Sequence, residues 1–279
     1  MRPTTAILFP GQGSQTADMR EAVQRTRPEL LEMVIAAVGE DPFPRAGEGT
    51  NFAQPAIFTA SLAGWAALDS PSGDFMAGHS LGELAALVAA GALSESDGLK
   101  LVTLRGRLMH EAGVRGGGGG MVVVMGAGAS ERAPEVAHAH DLVVANDNSP
   151  QQVVLSGARG ALPGAVSHAK ELGLRAMELD VTGAFHSPMM VPALPEFEAA
   201  LAATEFSEPQ VPVLSAVTAR PFTDPRRELA DALTSPVRWR ETLLALDELG
   251  VSRFIEVGPG RVLSGLAKRT LRDVELVNG

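Results

Sequence analysis

A serine stands between two glycines in Gly78-His79-Ser80-Leu81-Gly82, where a short apolar run, "DFMAGHS", meets a longer helical one, "LGELAALVAAGAL". At a strand-to-helix junction the G-x-S-x-G spacing lifts the serine hydroxyl out of a sharp turn, and the small flanking residues let two backbones pass close. The helix start aims free N–H groups at the same place. This is nucleophile chemistry, and a serine nucleophile needs a base. His79 is adjacent, and neighbours on a turn rarely face one another. The candidate is therefore His186 in "TGAFHSP", beside Ser187-Pro188, which reads as a helix N-cap with proline at N1. A hydrolase triad runs Ser…Asp/Glu…His, and Asp180 reads as part of a strand, so a backbone carbonyl is left to orient the imidazole. The pair reads as a Ser–His dyad.

Two further features bear on the same chemistry. Arg105 lies in the helical run from Ser94, with Leu101, Val102, Leu108 and Met109 three and four positions away on one apolar stripe. A guanidinium on a buried face must find an anion, and its planar fork suits a carboxylate. That anion is either a protein acid such as Glu83 or a carboxylate on the substrate. Gln12 sits between Gly11 and Gly13 after the first strand; its main-chain N–H and that of Leu81 are candidates for an oxyanion hole. A dinucleotide fingerprint would need glycine where Thr16 stands.

The bulk numbers set limits. The 279 residues suit one large domain, or one with a smaller insert, and 45% hydrophobic with 20% charged residues reads as an ordinary globular chain. The absence of cysteine removes thiolate catalysis, disulfides and Cys-based metal sites. None of the six histidines forms an H-E-x-x-H pair, so no metal is expected; His138 and His140 read as surface residues. A net charge of −10 argues against general nucleic-acid binding. With no apolar run of membrane-spanning length and no signal peptide in "MRPTTAILFPGQG", the expected location is the cytoplasm.

The elements that must position these residues alternate. "TAILF" and "DFMAGHS" read as strands, "QPAIFTASLAGWAAL" and "LGELAALVAAGAL" as helices, and residues 40–53 as loop. Another helix starts at a Ser94…Asp97 capping box and ends at Gly113. Gly116 to Gly120 reads as a flexible hinge; a phosphate loop would continue Lys-Ser/Thr, and Met121 follows instead. Beyond it, "MVVVMG", "SERAPEVAHAH", "DLVVAND", "QQVVLSG", "ALPGAVSHAKELG" and "RAMELDV" give β-α-β-β-α-β, with Asn148-Ser149-Pro150 as the central connection. The expected fold is α/β with a largely parallel sheet: a large domain of residues 1–118 and 184–279, and a ferredoxin-like insert of 119–183.

Taken together the motifs resemble the malonyl-CoA:acyl-carrier-protein transacylase family, which includes the fatty-acid synthesis enzyme and the acyltransferases of polyketide synthases. The matching pieces are "FPGQGSQ" (9–15), "QPA" (54–56), "AGHSLGELAALVAAG" (77–91), "LRGRLM" (104–109), "NSPQQVVLSG" (148–157), "GAFHSPMM" (183–190), "SPVRW" (235–239) and "EVGPGRVLSGLAKR" (256–269), in family order along nearly the whole chain. The resemblance implies an α/β-hydrolase-like large domain with a ferredoxin-like subdomain. It implies that Ser80 is acylated, His186 is its base, Arg105 holds the malonyl carboxylate, Gln12 and Leu81 supply the oxyanion hole, and Phe185 narrows the pocket toward malonyl. Coenzyme A thioester and acyl carrier protein are the implied partners, with no cofactor, acting on a monomer. The alternatives are an acyl-thioester hydrolase with an editing role and the malonyl-loading subunit of a malonate decarboxylase; a non-catalytic docking module is disfavoured by the intact Ser80 and His186. Two positions depart from the family pattern: Ala232 stands where many members carry a histidine-orienting glutamine, and His110 where glutamine often follows the methionine.

Carrier proteins of that family are acidic and this chain is itself negative, so docking calls for a local basic patch. Arg261, Lys268, Arg269 and Arg272 have no acid among them, and the spacings 261, 268 and 272 place three of them on one face of a helix.

Overall fold

Every residue of the first strand, β1 (Thr5–Phe9), is buried, as expected for a strand covered on both faces. The computed structural model describes residues 2–115 and 117–278. After β1 come α1 (Met19–Thr26) and α2 (Pro28–Val38), separated at Arg27 because Pro28 cannot continue a helix but suits the first position of a new one. Then follow α3 (Thr50–Ala67), β2 (Phe75–Gly78), α4 (Gly82–Ala89) and α5 (Glu95–Arg115). The next group is β3 (Gly119–Met125), α6 (Ala129–Ala139), β4 (Val143–Ser149), β5 (Gln152–Ala158), α7 (Leu162–Glu171) and β6 (Arg175–Glu178). The chain continues through α8 (Leu194–Ala203), β7 (Val213–Ser215), β8 (Arg220–Pro221), α9 (Pro225–Asp231), α10 (Trp239–Glu248), β9 (Arg253–Glu256), α11 (Val262–Thr270) and β10 (Glu275–Asn278).

The larger sheet has the order β10-β9-β1-β2-β7-β8, parallel throughout except for the short β8. Side chains of β1 alternate between its two faces. Ile7 and Phe9 pack with Val23, Leu30, Ile57 and Leu84, while Ala6 and Leu8 pack with Trp239, Leu243, Leu263 and Leu266. Helices thus cover both faces in an α/β/α sandwich. Phe9 pairs with Gly78 at the ends of β1 and β2, so the loops after both strands leave the sheet side by side.

The smaller sheet has the order β4-β5-β3-β6 and is antiparallel, a ferredoxin-like arrangement with all its elements between Gly119 and Glu178. Val122 and Val124 face the Ala133, Val136, Leu162 and Ala165 side chains of α6 and α7, while Met121 and Val123 join the main core. Its edge strand β4 is not free. Asp147 N–H donates to Val237 O (2.9 Å), Val237 N–H donates to Ala145 O (2.8 Å), and the Arg240 guanidinium bonds the Asp147 carboxylate at 2.7 Å. These bonds tie the small sheet to the segment entering α10.

Several boundaries differ from the sequence reading. Residues 50–53 are helical rather than loop, and α5 runs through Gly113 to Arg115. Gly113 is not a stop signal. A Cβ there would lie 2.7 Å from Thr182 O, so the glycine lets the helix and the returning chain touch. The glycine run is not simply a hinge either. Gly119 and Gly120 are buried in β3, where a Cβ would press on Ala184 N and on the Leu162 side chain; Gly116 lies outside the described residues. Asn148 and Ser149 belong to β4, with the turn at Pro150-Gln151. Asp180 lies beyond β6, not within it. The last strand, β10, was not expected; its four residues carry no strong alternation.

Candidate active site

Ser80 occupies the turn between β2 and α4 at φ +55°, a left-handed conformation that costs a non-glycine residue about 1–3 kcal/mol. The turn is held by His79 N–H to Phe9 O (3.0 Å), Gly82 N–H to His79 O (3.0 Å) and Glu83 N–H to Ser80 O (3.1 Å). A Cβ on Gly78 would run into the Gly82 and Glu83 backbone, and one on Gly82 into the Phe9 carbonyl. Both glycines of the motif are therefore required by contact, and the loop after β1 lies directly against the elbow.

His186 comes to Ser80 from 106 residues away, with Nε2 2.9 Å from Ser80 Oγ. It too is left-handed, at φ +56°, just ahead of a 3₁₀ turn, Pro188–Ala193, where Met189 N–H donates to Ser187 Oγ. Its Nδ1 lies 2.8 Å from the carbonyl oxygen of Ala232. A carbonyl only accepts, so Nδ1 carries the proton and Nε2 presents a lone pair to the Ser80 hydroxyl. Burial, reinforced by the nearby Arg105 charge, pushes the imidazole down to about 3 against the pull of the Ala232 carbonyl. The ring is neutral and ready to accept a proton. His79, by contrast, turns away: its Nε2 is 2.8 Å from Asn148 Oδ1, and its ring meets Trp239 edge-on.

Arg105 is 2% exposed. One amino group donates to Gln54 Oε1 (2.8 Å) and the other to Ser80 Oγ (3.2 Å). No carboxylate lies within ion-pair distance among the described residues, so the protein pair with Glu83 is not made. Burial holds the guanidinium down to about 10, and Glu83 raises it from a distance. A buried cation without a protein anion, touching the nucleophile, has the chemistry to take up a carboxylate.

The main-chain N–H groups of Gln12 and Leu81 have no acceptor among the described residues, as a pair that receives an oxyanion requires. Both residues line a cavity of about 290 Å³ together with Ser80, His186, Gln54 and Met109, and its far wall includes Met121 and Val154 of the small sheet. The geometry offers a serine, a neutral base and two free donors in one cleft, with a buried cation bonded to that serine: the parts of acyl transfer through a serine ester.

A family model described as the acyl transferase domain matches residues 7–278. This chain belongs to the acyl transferase domain family. It is 39% identical to the malonyl CoA-acyl carrier protein transacylase of Bacillus subtilis, over 98% of this chain and 92% of that one. It is also 39% identical to the polyketide biosynthesis protein ThaF of Burkholderia thailandensis over 95% of this chain, although it spans only 24% of that longer protein. Among solved structures, a malonyl-transacylase in complex with a type II polyketide synthase acyl-carrier protein superposes with a TM-score of 0.88 at 34% identity, covering 99% of this chain and 95% of that one.

Within this acyl transferase, Phe185 is buried and lines the cavity beside His186. Asp180 also lines the cavity, but His186 Nδ1 is engaged by Ala232 and not by this carboxylate. The cationic residues near the C-terminus are arranged differently from the spacing argument. α11 ends at Thr270, and Leu271 turns to extended backbone (φ −107°, ψ 161°) to bury its side chain, so Arg272 does not share a helical face with Lys268. Arg261 precedes the helix and lines a separate cleft with Arg25 and Asp18. Lys268 and Arg269 remain exposed in the last turn of α11.

The sequence reading passed over three residues. Gln54 entered only as part of a motif, Asn148 only as a turn residue, and Glu83 only as a possible ion-pair partner. Gln54 had a signal, since an amide inside the apolar run "NFAQPAIF" must be buried and bonded. Asn148 had none, because its partner His79 lies 69 residues away.

Proposed function

We propose that this acyl transferase moves a malonyl group from coenzyme A to the phosphopantetheine thiol of an acyl carrier protein. The observation that carries the reading is Arg105: a buried, unpaired guanidinium 3.2 Å from the nucleophile suits an acyl group that ends in a carboxylate. The names and the carrier-protein complex of its relatives support the same substrate and partner.

In the first half-reaction Ser80 Oγ attacks the thioester carbonyl carbon as its proton passes to His186 Nε2. The negative charge developing on the carbonyl oxygen falls to the Gln12 and Leu81 N–H groups. Collapse breaks the carbon–sulfur bond, and the departing coenzyme A sulfur takes the proton from Nε2. In the second half the carrier thiol gives its proton to Nε2, its sulfur attacks the serine ester, and Ser80 Oγ leaves and regains the proton. Arg105 has two roles in this sequence. Bound to the malonyl carboxylate, it orients the acyl group; and because its charge depresses His186, neutralising that charge makes the imidazole a stronger base as substrate arrives.

The chemistry needs no metal or redox group. In this proposal the enzyme acts as a monomer, in the cytoplasm with its thioester substrates. Among the described residues no helix is long and apolar enough to cross a membrane. Lys268 and Arg269 are the cations retained for docking the carrier.

The test is intact-protein mass spectrometry after mixing with malonyl-CoA. A malonyl adduct should form, vanish on addition of carrier protein bearing a free phosphopantetheine thiol, and be absent in Ser80→Ala, whose turnover should fall on the order of 10⁶-fold. A malonyl adduct on the Ser80→Ala protein would overturn the assignment.

A further inference from the structure

Glu83 is a buried carboxylate that the transfer mechanism does not use. It lies in the first turn of α4, three residues after the nucleophile, and is 1% exposed. Its Oε1 accepts the main-chain N–H of Ala216 at 2.7 Å. Burial pushes its carboxyl up to about 8, opposed by that N–H and by Arg105.

The residue it grips starts the segment that holds the base. Ala216 follows β7, and its carbonyl accepts Arg238 N–H at 2.7 Å. Two residues on, Thr218 Oγ1 donates to Glu228 Oε2 (3.3 Å), and Glu228 Oε1 accepts the N–H groups of Thr223 (2.9 Å) and Asp224 (3.2 Å). Glu228 is in α9, and its carbonyl accepts Ala232 N–H at 3.0 Å. Ala232 O in turn holds His186 Nδ1. Hydrogen bonds, joined by the short backbone stretch from Ala216 to Thr218, thus link the nucleophile's helix to the carbonyl that sets the histidine ring.

Ser80 and His186 belong to segments with no local connection, each in a strained backbone conformation. Their 2.9 Å contact depends on how the elbow sits against residues 216–232. We propose that Glu83 is a positioning residue that, by accepting the Ala216 N–H, registers the Ser80 elbow against the segment presenting Ala232 O to His186. This rests on the reading of Ser80 and His186 as the reacting pair. What matters is the reach of the acceptor oxygen rather than the charge.

Two substitutions separate reach from charge. Glu83→Gln keeps an acceptor oxygen at the same length and loses the charge; Glu83→Asp keeps the charge and draws the acceptor back by one methylene. The readouts are steady-state kcat and KM for malonyl-CoA, and the rate at which a serine-directed phosphonylating reagent labels Ser80. Glu83→Gln should stay within about threefold of wild type in kcat and labelling. Glu83→Asp should lose at least about tenfold in both with KM little changed, since a misplacement of roughly 1 Å can cost about 10²-fold. Wild-type labelling and kcat in Glu83→Asp would sink the proposal. So would the reverse order, with Gln impaired and Asp intact, which would make charge the operative property. The phosphonylation arm is independent of the acyl group, so a protein that labels at Ser80 yet transfers no malonyl would count against the proposed substrate and not against the role of Glu83.

Discussion

Ala232 holds His186 through its main-chain carbonyl, 2.8 Å from Nδ1, so a backbone oxygen and not a side-chain amide orients the imidazole. The carbonyl is fixed by α9, because Ala232 N–H closes the last turn onto Glu228 O. A backbone acceptor selects the Nδ1–H tautomer as well as an amide oxygen would.

The first prediction follows from that bond. Ala232→Gly leaves the carbonyl in place, so transfer should change by less than about threefold, whereas His186→Ala should slow both half-reactions by orders of magnitude. Rapid-quench measurement of acylation and deacylation would check it. A collapse of activity in Ala232→Gly with the fold intact would mean that the methyl group, not the carbonyl, matters.

Replacing Arg105 should change which acyl group is preferred. A hydrogen bond to a charged group is worth about 1.5–3 kcal/mol, so Arg105→Ala should lower malonyl transfer at least roughly tenfold. Acetyl transfer, which has no carboxylate to hold, should fall much less. Competition between malonyl-CoA and acetyl-CoA reads the ratio directly; equal losses would make Arg105 a structural residue.

The pH dependence of acylation should report the same charge. Arg105 depresses His186 in the free enzyme, and under the proposed function the malonyl carboxylate would offset that charge in the complex. The acid limb of kcat/KM, set by the free enzyme, should therefore lie at lower pH than the limb of acylation at saturating malonyl-CoA. In Arg105→Ala the free-enzyme limb should move up. Coincident limbs in the wild type would contradict the coupling.

Stability should respond to pH in two opposite ways. His186 falls from 6.5 to about 3 on folding, so the unfolded chain binds the extra proton and stability is lost as pH drops below 6.5. Glu83 rises from 4.5 to about 8, so the folded chain binds the extra proton and stability is lost as pH climbs from 4.5 toward 8. Together they favour the range between 4.5 and 6.5. Thermal melts across pH should show Glu83→Gln losing less than wild type between pH 6.5 and 8; parallel curves would refute the linkage.

Carrier docking is predicted to use Lys268 and Arg269. Arg238 and Arg240, by contrast, are engaged by Glu241 and Asp147. Lys268→Glu with Arg269→Glu should raise KM for carrier protein and leave malonyl loading from coenzyme A unchanged, with the effect shrinking at high salt. Wild-type transfer by the double variant in low salt would remove the patch from the interface.

The nucleophile and its elbow were legible in the sequence because everything that makes them is local: five residues, a strand before and a helix after. The burial of Arg105 was legible for the same reason, since helical periodicity places its apolar neighbours. The sandwich and the β-α-β-β-α-β unit followed from alternation of elements. What the sequence did not decide was any relation across segments. It suggested that a carbonyl orients His186 but not that Ala232, 46 residues on, supplies it; and it left open whether Glu83 pairs with Arg105, which the structure answers by giving Glu83 to Ala216 instead. Spacing also failed at two helix ends: α11 stops before Arg272, with Leu271 extended and buried, and α5 runs past Gly113, whose missing side chain serves a close approach to Thr182 rather than a stop. Local patterns specify the elements and their apolar faces, while hydrogen bonds between distant segments and the fit of backbone against backbone exist only once the chain has packed.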